Sequence, residues 1–404
     1  MTRRVLLLAP FPPRSDATHG GSRAIAGTVK VLAGRHRLAV AYLRGRDEVA
    51  MEERLQHECE LVREVRLPHP RGFLPRLLRH ARNSFAPFTG LPTWAEWYSS
   101  AAYAEEVQRT VAEWAPQLVQ LEFHLMGQYL PALSASNAPK ILVQHEPGAA
   151  AQRERMRRFS HLWAPNWLDL HAWRRYEARI IREVNAVVVF SERDRANLLP
   201  LAGATPVVPI GLGVDIPPRS SEAPDTSVPA LLFVGSFAHR PNADAARRIV
   251  EGILPRVHSR CPSARLILVG TNPPADVRGR VGPSIELAEA VPDVAPFLQR
   301  AAIVLAPLRL GGGMRLKVLE ALAAGKTLVA SRLAVAGLDL VDGRHCLLAE
   351  SDEEFAAAIT ELLGNPSLRR RLGREARQWA EEHLAWSSVA DRYQKLYDAL
   401  LGES

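Results

Sequence analysis

Short apolar runs recur along the whole chain, and turn residues or segments with helical periodicity separate each run from the next. Runs of this length, bounded by turn signals, are typical of strands that are buried on both faces of a parallel sheet. Their alternation with helical segments predicts an α/β fold. The runs occupy residues 3–9, 36–43, 117–122, 140–146 and 186–191, and then 230–236, 264–270, 284–291, 302–308, 326–331 and 345–350.

A stretch rich in Pro, Ser and Gly, residues 209–229, divides this pattern into two similar halves and has the composition of a linker. We therefore expect two Rossmann-like parallel-sheet domains, at 1–212 and 213–385, that face each other across a cleft. A long helical stretch, 367–401, ends the sequence, and its last helix, about 386–404, is expected to pack back on the first domain. Ligands of open parallel sheets bind beyond the carboxyl ends of the strands, so the cleft is the expected site.

The positive charge of the chain is concentrated in its first half. The formal net charge is +8, and residues 1–212 hold 28 Lys and Arg against 20 Asp and Glu, whereas the remaining residues hold 23 of each kind. A basic surplus of this kind favours an anionic partner or surface. The first domain is therefore the one expected to meet such a partner.

Cysteine usage and hydropathy restrict the cellular setting. Cys59, Cys261 and Cys346 are far apart, and no Cys or His spacing typical of a zinc site occurs. An odd number of scattered cysteines favours a reducing compartment. No apolar run reaches the roughly 18 residues that suggest a membrane-spanning helix. We expect a cytoplasmic protein.

The most informative local stretch is RLGGGMRLKVLEALAAGKTLVAS, residues 309–331, in which three glycines precede two cations and a helical pattern. Glycines at a helix start let a phosphate approach the unsatisfied backbone N–H groups closely. Arg315 and Lys317 lie in the first turn, where a cation opposes the helix dipole and a bound anion would compensate. The stretch therefore predicts a phosphate site.

Lys317 and Glu320 are three residues apart and share one face of that helix. Lys317 can reach a phosphate while Glu320, deeper in the helix, accepts hydrogen bonds from ribose hydroxyls. The spacing thus describes a nucleoside diphosphate lying across a helix start. The alternative is a Gly-rich helix entry with a local Lys317–Glu320 ion pair. Neither the P-loop pattern nor the Gly-x-Gly-x-x-Gly pattern occurs in the stretch.

The sequence GGGMRLKVLEALAAGKTLVAS, after VPDVAPFLQRAAIVLAPL, resembles the donor-site region of family 4 glycosyltransferases. The resemblance extends through LLFVGSFAHRPNADAARRI and VVVFSERDRANLL to the paired glycines 20–21, and it is closest to the branch that makes surface polysaccharides or decorates small molecules. It implies the GT-B fold, a nucleotide-sugar donor and transfer with retention of anomeric configuration.

The family usually carries two glutamates with seven residues between them. Glu320 matches the second, which binds the ribose hydroxyls in relatives, but Gly312 stands where the first would contact the donor sugar. We expect the backbone amides of Gly311, Gly312 and Gly313, together with Arg315, to take over part of that contact.

The resemblance implies further donor-side residues. Arg240 would neutralise the departing diphosphate, the backbone near Val291 would contact the nucleobase, and the loop at Gly20 and Gly21 would approach the donor phosphates. His145, at a strand end, would lie against the transferred sugar. The simpler structural alternatives are a surface arginine, an ordinary strand-to-helix turn capped by the neighbouring aspartate, a tight glycine turn and a hydrogen-bonded structural histidine.

Five other polar positions have an expected role. Glu122 and Glu146 end strands and are candidates to orient an acceptor hydroxyl. Asn242 is expected to cap the helix that follows it. Ser191 and Asp194 fit a capping box and are interpreted as structural.

Two basic stretches, 63–83 and 153–182, interleave arginines with apolar side chains, and the second contains Trp163, Trp167 and Trp173. Such a composition suits a lipid headgroup surface, and it predicts peripheral contact with the inner membrane face. The alternative is a set of solvated helix faces around a Trp-containing core. No nucleic-acid recognition motif accompanies the charge.

Together these features predict a glycosyltransferase that moves a sugar from a nucleotide-diphosphate sugar to a glycan, lipid-linked or small-molecule acceptor. No metal or other cofactor is expected, because no Asp-x-Asp occurs and the helix start with Arg240 and Lys317 can hold the diphosphate. Two alternatives remain open. One is a nucleotide-sugar 2-epimerase on the same fold, and the other is a catalytically silent nucleotide-sugar-binding protein.

Overall fold

The computed structural model describes residues 2–17, 20–68, 88, 90–145, 148, 163–218, 230–291, 293–310 and 316–402. Its strands form two separate sheets, one in each half of the chain, and every pairing between neighbouring strands is parallel. The α/β fold class with two parallel-sheet domains, as predicted from the alternating apolar runs, is confirmed.

The first sheet has seven strands in the order β3-β2-β1-β4-β5-β6-β7. Its central strands are apolar and almost completely buried, because helices cover both faces of a doubly wound parallel sheet. The strands are β1 Arg4–Ala9, β2 Arg37–Arg44, β3 Leu61–Arg66, β4 Leu118–Glu122, β5 Lys140–Gln144, β6 Ala186–Val189 and β7 Val207–Pro209.

Six α-helices and one 3-10 helix accompany this sheet in the described residues. They are α1 Gly20–Ala33, α2 Glu53–His57, α3 Thr93–Trp97, α4 Ala101–Trp114, the 3-10 helix His124–Leu133, α5 Trp163–Arg182 and α6 Glu192–Ala202. Ser191 is the N-cap of α6: its Oγ accepts from the backbone N–H of Asp194 at 3.1 Å and donates to the Asp194 carboxylate at 2.7 Å. The structural interpretation of this pair is confirmed.

The second sheet has six strands in the order β10-β9-β8-β11-β12-β13. They are β8 Ala230–Val234, β9 Arg265–Val269, β10 Ile285–Ala288, β11 Ala301–Ala306, β12 Thr327–Ala330 and β13 Leu347–Leu348. The accompanying helices are α7 Arg240–Arg247, continued by a π-helical turn Arg248–Ile253 and α8 Leu254–His258, then α9 Ala275–Arg278, α10 Ala295–Arg300, α11 Leu316–Ala323, α12 Asp352–Gly364, α13 Pro366–His383 and α14 Trp386–Leu401.

The last helix, α14, lies against the first domain. The indole ring of Trp386 fills the space beside Gly27 of α1 and Gly213, where a Cβ would come within 1.9 and 2.3 Å of ring atoms. At the other end of the helix, Tyr397 donates a hydrogen bond to the side chain of Gln120 in β4 at 2.6 Å. The domain limits at 212 and 385 remain predictions.

Two strands, β3 and β7, were not predicted from the sequence. The sequence of β3, LVREVR, mixes apolar and charged residues, and residues 63–66 belong to a predicted basic stretch, whereas the structure makes them part of an edge strand paired with β2. In β7 only three residues pair with β6, and the last is a proline. Neither segment has the continuous apolar run that marks a central strand of a parallel sheet.

Candidate functional site

A cavity of about 1080 Å³ lies between the two domains, beyond the carboxyl ends of β8, β9 and β10. This is the position where open parallel sheets bind ligands. Both domains line it. The first contributes Ser15, Asp16, Ala17 and Arg23, the connecting segment contributes Asp215, Pro217 and Pro218, and the second domain contributes Val234, Gly235, Ser236, Val269, Gly270, Thr271, Ala290, Val291, Asp293, Val294, Ala295, Leu298, Gln299, Glu320, Ala324, Lys326 and Arg377.

Backbone forms one part of the cavity wall, where β8 and β9 end. Gly270 has a φ of 155°, and a Cβ there would lie 2.0 Å from the carbonyl oxygen of Gly235. At Gly235 a Cβ would lie 2.7 Å from the side chain of Asn242 and 2.8 Å from Nζ of Lys317. Only glycines fit here without displacing their neighbours, so the loops after β8 and β9 pack closely against each other and against Asn242 and Lys317.

Lys317 is held beside this glycine wall. Its Nζ donates to Oδ1 of Asn242 at 2.5 Å and lies 4.5 Å from the ring centre of Phe233. Asn242 in turn donates through Nδ2 to the carbonyl of Ser236 at 2.8 Å. Asn242 thus links the ammonium group to the loop that follows β8.

The expectation that Asn242 caps the following helix is wrong. Helix α7 already begins at Arg240, and His239 is its N-cap residue, without a side-chain cap hydrogen bond. Asn242 lies inside the first turn, with its backbone N–H bonded to the carbonyl of His239. Its side chain is therefore free of capping and serves the contact with Lys317.

Glu320 lines the cavity from α11, with 18% of its side chain exposed. Burial raises the pKa of the Glu320 carboxyl, while the charges of Arg23 and Lys317 act in the opposite direction. Its Oε1 forms an ion pair with Nη2 of Arg23, which comes from the other domain. A partner of Glu320 is thus an arginine across the cleft, rather than the local Lys317 of the alternative interpretation.

Gly20 and Gly21 open helix α1, and neither has a positive φ, so they do not form the tight glycine turn considered as an alternative. A Cβ on Gly20 would lie 2.9 Å from Leu316, the first described residue of α11. On Gly21 it would lie 2.6 Å from the ring of Phe123. The glycines allow close packing, and Gly20 brings the start of α1 against α11 of the second domain.

His145 lies at the end of β5 but outside the set of residues that line the cavity. Its ring stacks on Phe123 with centroids 3.8 Å apart, and Nε2 lies 2.6 Å from Oε2 of Glu122. Only 7% of the side chain is exposed. Glu122 is completely buried, and its other oxygen accepts from Gln120 at 2.6 Å. The roles predicted for His145 at the sugar and for Glu122 at an acceptor remain predictions.

Two other predicted donor residues occupy different positions. Val291 lines the cavity, next to Asp293, whose carboxylate accepts from the backbone N–H of Ala295 at 2.9 Å. Arg240 begins α7 at an exposed position and is not among the lining residues. Contacts of Val291 with a base and of Arg240 with a diphosphate stay predictions.

Several predicted residues lie outside the described part of the chain. They are Glu146 and the segment that contains Gly311, Gly312, Gly313 and Arg315. The described part of α11 begins directly after that segment. The phosphate contacts assigned to the three glycines and Arg315 therefore remain predictions.

Three lysine and arginine residues of the cavity wall were not predicted from the sequence: Arg23, Lys326 and Arg377. Arg23 follows the paired glycines by two positions, which was the available signal. Lys326 donates from Nζ to the carbonyls of Gln299 and Ala301 at 3.0 and 3.2 Å, and burial lowers its pKa to about 8. It thereby binds the end of α10, a contact between distant residues that no local pattern predicts.

Among the described residues, no three His, Cys, Asp or Glu side chains are arranged to hold a metal ion. The helices of the described ranges include none that is long and apolar enough to span a membrane.

Residues 228–365 match the family model Glycosyl transferases group 1. Phosphatidyl-myo-inositol mannosyltransferase of Mycobacterium tuberculosis is 29% identical over 210 residues, which are 48% of this chain and 54% of that protein. The matched segments span between 24% and 54% of the lengths of the curated relatives.

Solved structures resemble the whole chain. Sucrose-phosphate synthase of Thermosynechococcus elongatus has a TM-score of 0.71 at 18% identity, with both chains fully covered. The Anabaena protein HepE in complex with UDP-glucose has a TM-score of 0.70 at 12% identity, covering 98% of this chain and 100% of its own. The chain thus has the two-domain GT-B fold, and its residues 228–365 carry the sequence pattern of the Glycosyl transferases group 1 family.

Proposed function

We propose that this protein is a glycosyltransferase that moves a sugar from a nucleoside diphosphate sugar to an acceptor hydroxyl. The observation that carries the proposal is the placement of Glu320 in a cavity between the domains, with the ammonium group of Lys317 beside the wall of that cavity. A carboxylate acceptor and a cation one helical turn apart match a ribose and its attached phosphates.

In this proposal the donor lies along the carboxyl ends of the second sheet. Glu320 accepts hydrogen bonds from the ribose, and the base lies near Val291. The diphosphate lies at the cavity wall near Gly235, next to the ammonium group of Lys317, which is close to that glycine. The starts of α1 and α11, which meet at Gly20 and Leu316, add their positive dipole ends to the same region.

The chemical step leaves negative charge on the departing diphosphate, and fixed cations stabilise such charge most effectively when they are already in place. Lys317 is prepositioned by Asn242, and we propose that Arg240, Arg315 and the amides of Gly311–Gly313 complete this set without a metal ion. We further propose transfer of a hexose with retention of configuration, with the leaving diphosphate helping to deprotonate the acceptor. We assign no covalent nucleophile.

We propose that the first domain binds the acceptor, since it carries the whole positive surplus. Two helices there expose tryptophans: Trp97 of α3 is 49% exposed and Trp167 of α5 is 42% exposed. The helices are joined by a hydrogen bond from the backbone N–H of Thr93 to the Asp169 carboxylate at 2.7 Å. Exposed tryptophans on a basic domain suit the headgroup region of a membrane, so a lipid-linked acceptor at the inner membrane face is the preferred case.

The relatives support a donor of this class. The solved structure of HepE contains UDP-glucose, and the mycobacterial relative is named for transfer of mannose to phosphatidyl-myo-inositol. Two different sugars are involved, so we assign neither base nor sugar to this chain.

The test is an assay of nucleoside diphosphate release from UDP-, GDP-, ADP- and dTDP-sugars, with and without glycan, lipid-linked and small-molecule acceptors, and with product analysis by mass spectrometry. We expect acceptor-dependent release with one donor class, and its loss in Lys317→Ala. The matched control Lys395→Ala, an exposed lysine on α14, should behave as the wild type. A C2-epimerised sugar without transfer would indicate the epimerase, and binding without turnover would indicate the silent binding protein.

A further inference from the structure

The cavity contains an ion pair that joins the two domains. Arg23 of α1 and Glu320 of α11 both line the cavity, and they contact each other through Nη2 and Oε1. They are separated by 297 positions in the sequence. The contact exists because the two domains meet here, and it involves the acid to which the proposed function assigns the ribose.

The position of Arg23 follows from the start of its helix. Gly20 and Arg23 are three residues apart, so they share one face of α1. Gly20 lies so close to Leu316 that a Cβ there would be 2.9 Å from the Leu316 side chain. This approach places α1 beside α11, and the guanidinium of Arg23 then reaches one turn along α11 to Glu320.

A carboxylate in this position needs a cation. Burial raises the pKa of Glu320, and the nearby Asp293 acts in the same direction, whereas Arg23 and Lys317 oppose both. Lys317 is hydrogen-bonded to Asn242 at 2.5 Å. Arg23 is a direct ion partner of the carboxylate, and a guanidinium that holds one oxygen leaves the second oxygen, Oε2, able to accept another hydrogen bond.

We propose that Arg23 is a positioning residue of the donor site, which holds Oε1 of Glu320 so that Oε2 accepts a hydrogen bond from the ribose of the donor. This inference rests on the proposed function. It adds that ribose recognition is shared between the domains: the second domain supplies the carboxylate, and the first supplies the cation that holds it in place.

A consequence concerns the relative positions of the domains. If the pair with Arg23 raises the affinity of Glu320 for ribose, then by linkage a bound ribose favours the arrangement in which the two domains touch. Donor binding and closure of the cleft are thus coupled through one side chain.

The experiment compares ribonucleotides with their deoxy analogues. Isothermal titration calorimetry measures the affinity of the nucleoside diphosphate of the preferred base, and of its 2′-deoxy and 3′-deoxy forms, for the wild type, Arg23→Gln, Arg23→Lys and the matched control Arg35→Gln. Arg35 lies two residues beyond the end of α1 and forms an ion pair with Asp391 at 2.7 Å. Thermal unfolding verifies that each variant is folded.

We expect the wild type to bind the ribonucleotide at least roughly tenfold more tightly than one deoxy form, as for a hydrogen bond to a charged group. In Arg23→Gln this ratio should fall to near one, with little change in affinity for that deoxy form. Arg23→Lys should keep part of the ratio, and Arg35→Gln all of it.

An unchanged ratio in Arg23→Gln would overturn the inference while leaving the proposed function intact. An equal loss of affinity for the ribo and deoxy forms would also overturn it, since that pattern indicates a phosphate contact or a general structural effect. If the wild type binds none of the four nucleoside diphosphates, the proposed function fails, and the inference fails with it.

Discussion

Asn242 is an uncharged side chain that links two parts of the proposed donor site. It joins the carbonyl of Ser236 to the ammonium group of Lys317, with hydrogen bonds of 2.8 and 2.5 Å. A lysine has a long flexible side chain and loses considerable rotamer freedom when it is fixed. In this protein the fixing occurs before any ligand arrives, so the ligand is spared that entropic cost.

The first prediction follows from this contact. Lys317→Ala should weaken binding of the nucleoside diphosphate roughly 10- to 100-fold, as for a hydrogen bond to a charged group, and should leave the affinity for the nucleoside nearly unchanged. Asn242→Ala should produce a smaller loss in the same direction, because the ammonium group remains but is no longer fixed. Calorimetric titration with diphosphate and nucleoside measures both, and equal losses for the two ligands would contradict the assignment.

His36 gives a prediction about stability at acidic pH. Burial, together with the nearby charges of Arg3 and Arg35, lowers its pKa to about 4, and its ring contacts that of Tyr397. The unfolded chain binds this proton near pH 6.5, so it holds more protons than the native state between pH 6.5 and 4, and the free energy of unfolding falls as the pH falls through that window.

The replacement His36→Gln should therefore flatten the decline of the melting temperature between pH 6.5 and 4 relative to the wild type. His57→Gln, at an exposed site on α2, is the matched control and should keep the wild-type slope. Parallel curves for the wild type and His36→Gln would show that this histidine does not determine acid sensitivity.

Among the elements, the last helix is held by an interlocking contact. The indole of Trp386 occupies the space that glycine leaves open at Gly27 in α1 and at Gly213. Along the same helix, Arg3 pairs with Asp398 and Arg35 pairs with Asp391. The final helix is thus held on the first domain by the packing of Trp386 at its start and by two ion pairs farther along it.

Alanine at Gly27 tests this contact. In an isolated helix, glycine to alanine is stabilising by about 1 kcal/mol. Here the new Cβ would lie 1.9 Å from the ring of Trp386, and we expect a net destabilisation of about 1–3 kcal/mol, as for overpacking. Gly34→Ala is the control, because its nearest neighbour would be 3.7 Å away. Urea unfolding compares the two, and equal stability of both variants would contradict the interlocking.

The sequence predicted the central elements well because they are governed by local patterns. Continuous apolar runs predicted β1 and β8 to within two residues at each end, and the Ser191–Asp194 pattern marked the start of α6. Glu320 and Val291 were found because a spacing or a resemblance identified them, and both line the cavity.

Other features depend on contacts between distant parts of the chain. The pair of Arg23 and Glu320 and the bond between Asn242 and Lys317 join residues 297 and 75 positions apart. The prediction that Asn242 caps α7 was wrong because the helix begins at Arg240, two residues earlier than the prediction required. Strand β3 was missed because this edge strand carries charged residues on both faces and has no continuous apolar signal.

At the scale of the whole molecule, the two connections between the domains run side by side. The backbone N–H of Val214 donates to the carbonyl of Leu384 at 2.9 Å, and Val214 forms a parallel bridge with Ala385. The two connecting segments, near Val214 and near Ala385, are therefore in contact with each other. The cavity and the Arg23–Glu320 pair lie between the domains. This arrangement suits a hinge that opens and closes the cleft.

We predict that a nucleoside diphosphate will slow amide hydrogen exchange in both domains at once. The first turns of α1 and the loop at 235–236 should gain protection, whereas α4, on the first domain and away from the lining residues, should not change. Protection confined to the second domain would mean that the donor binds without engaging the first.

The central claim is that a nucleoside diphosphate binds between the domains, with its ribose on Glu320 and its phosphates beside Lys317. The most direct test is a crystal structure of the protein with the nucleoside diphosphate that stabilises it most in a thermal-shift panel of UDP, GDP, ADP and dTDP. We predict density for the ribose within hydrogen-bond distance of Glu320 and for the diphosphate next to Gly235 and Lys317. A nucleotide bound at another place, with this cavity empty, would contradict the account.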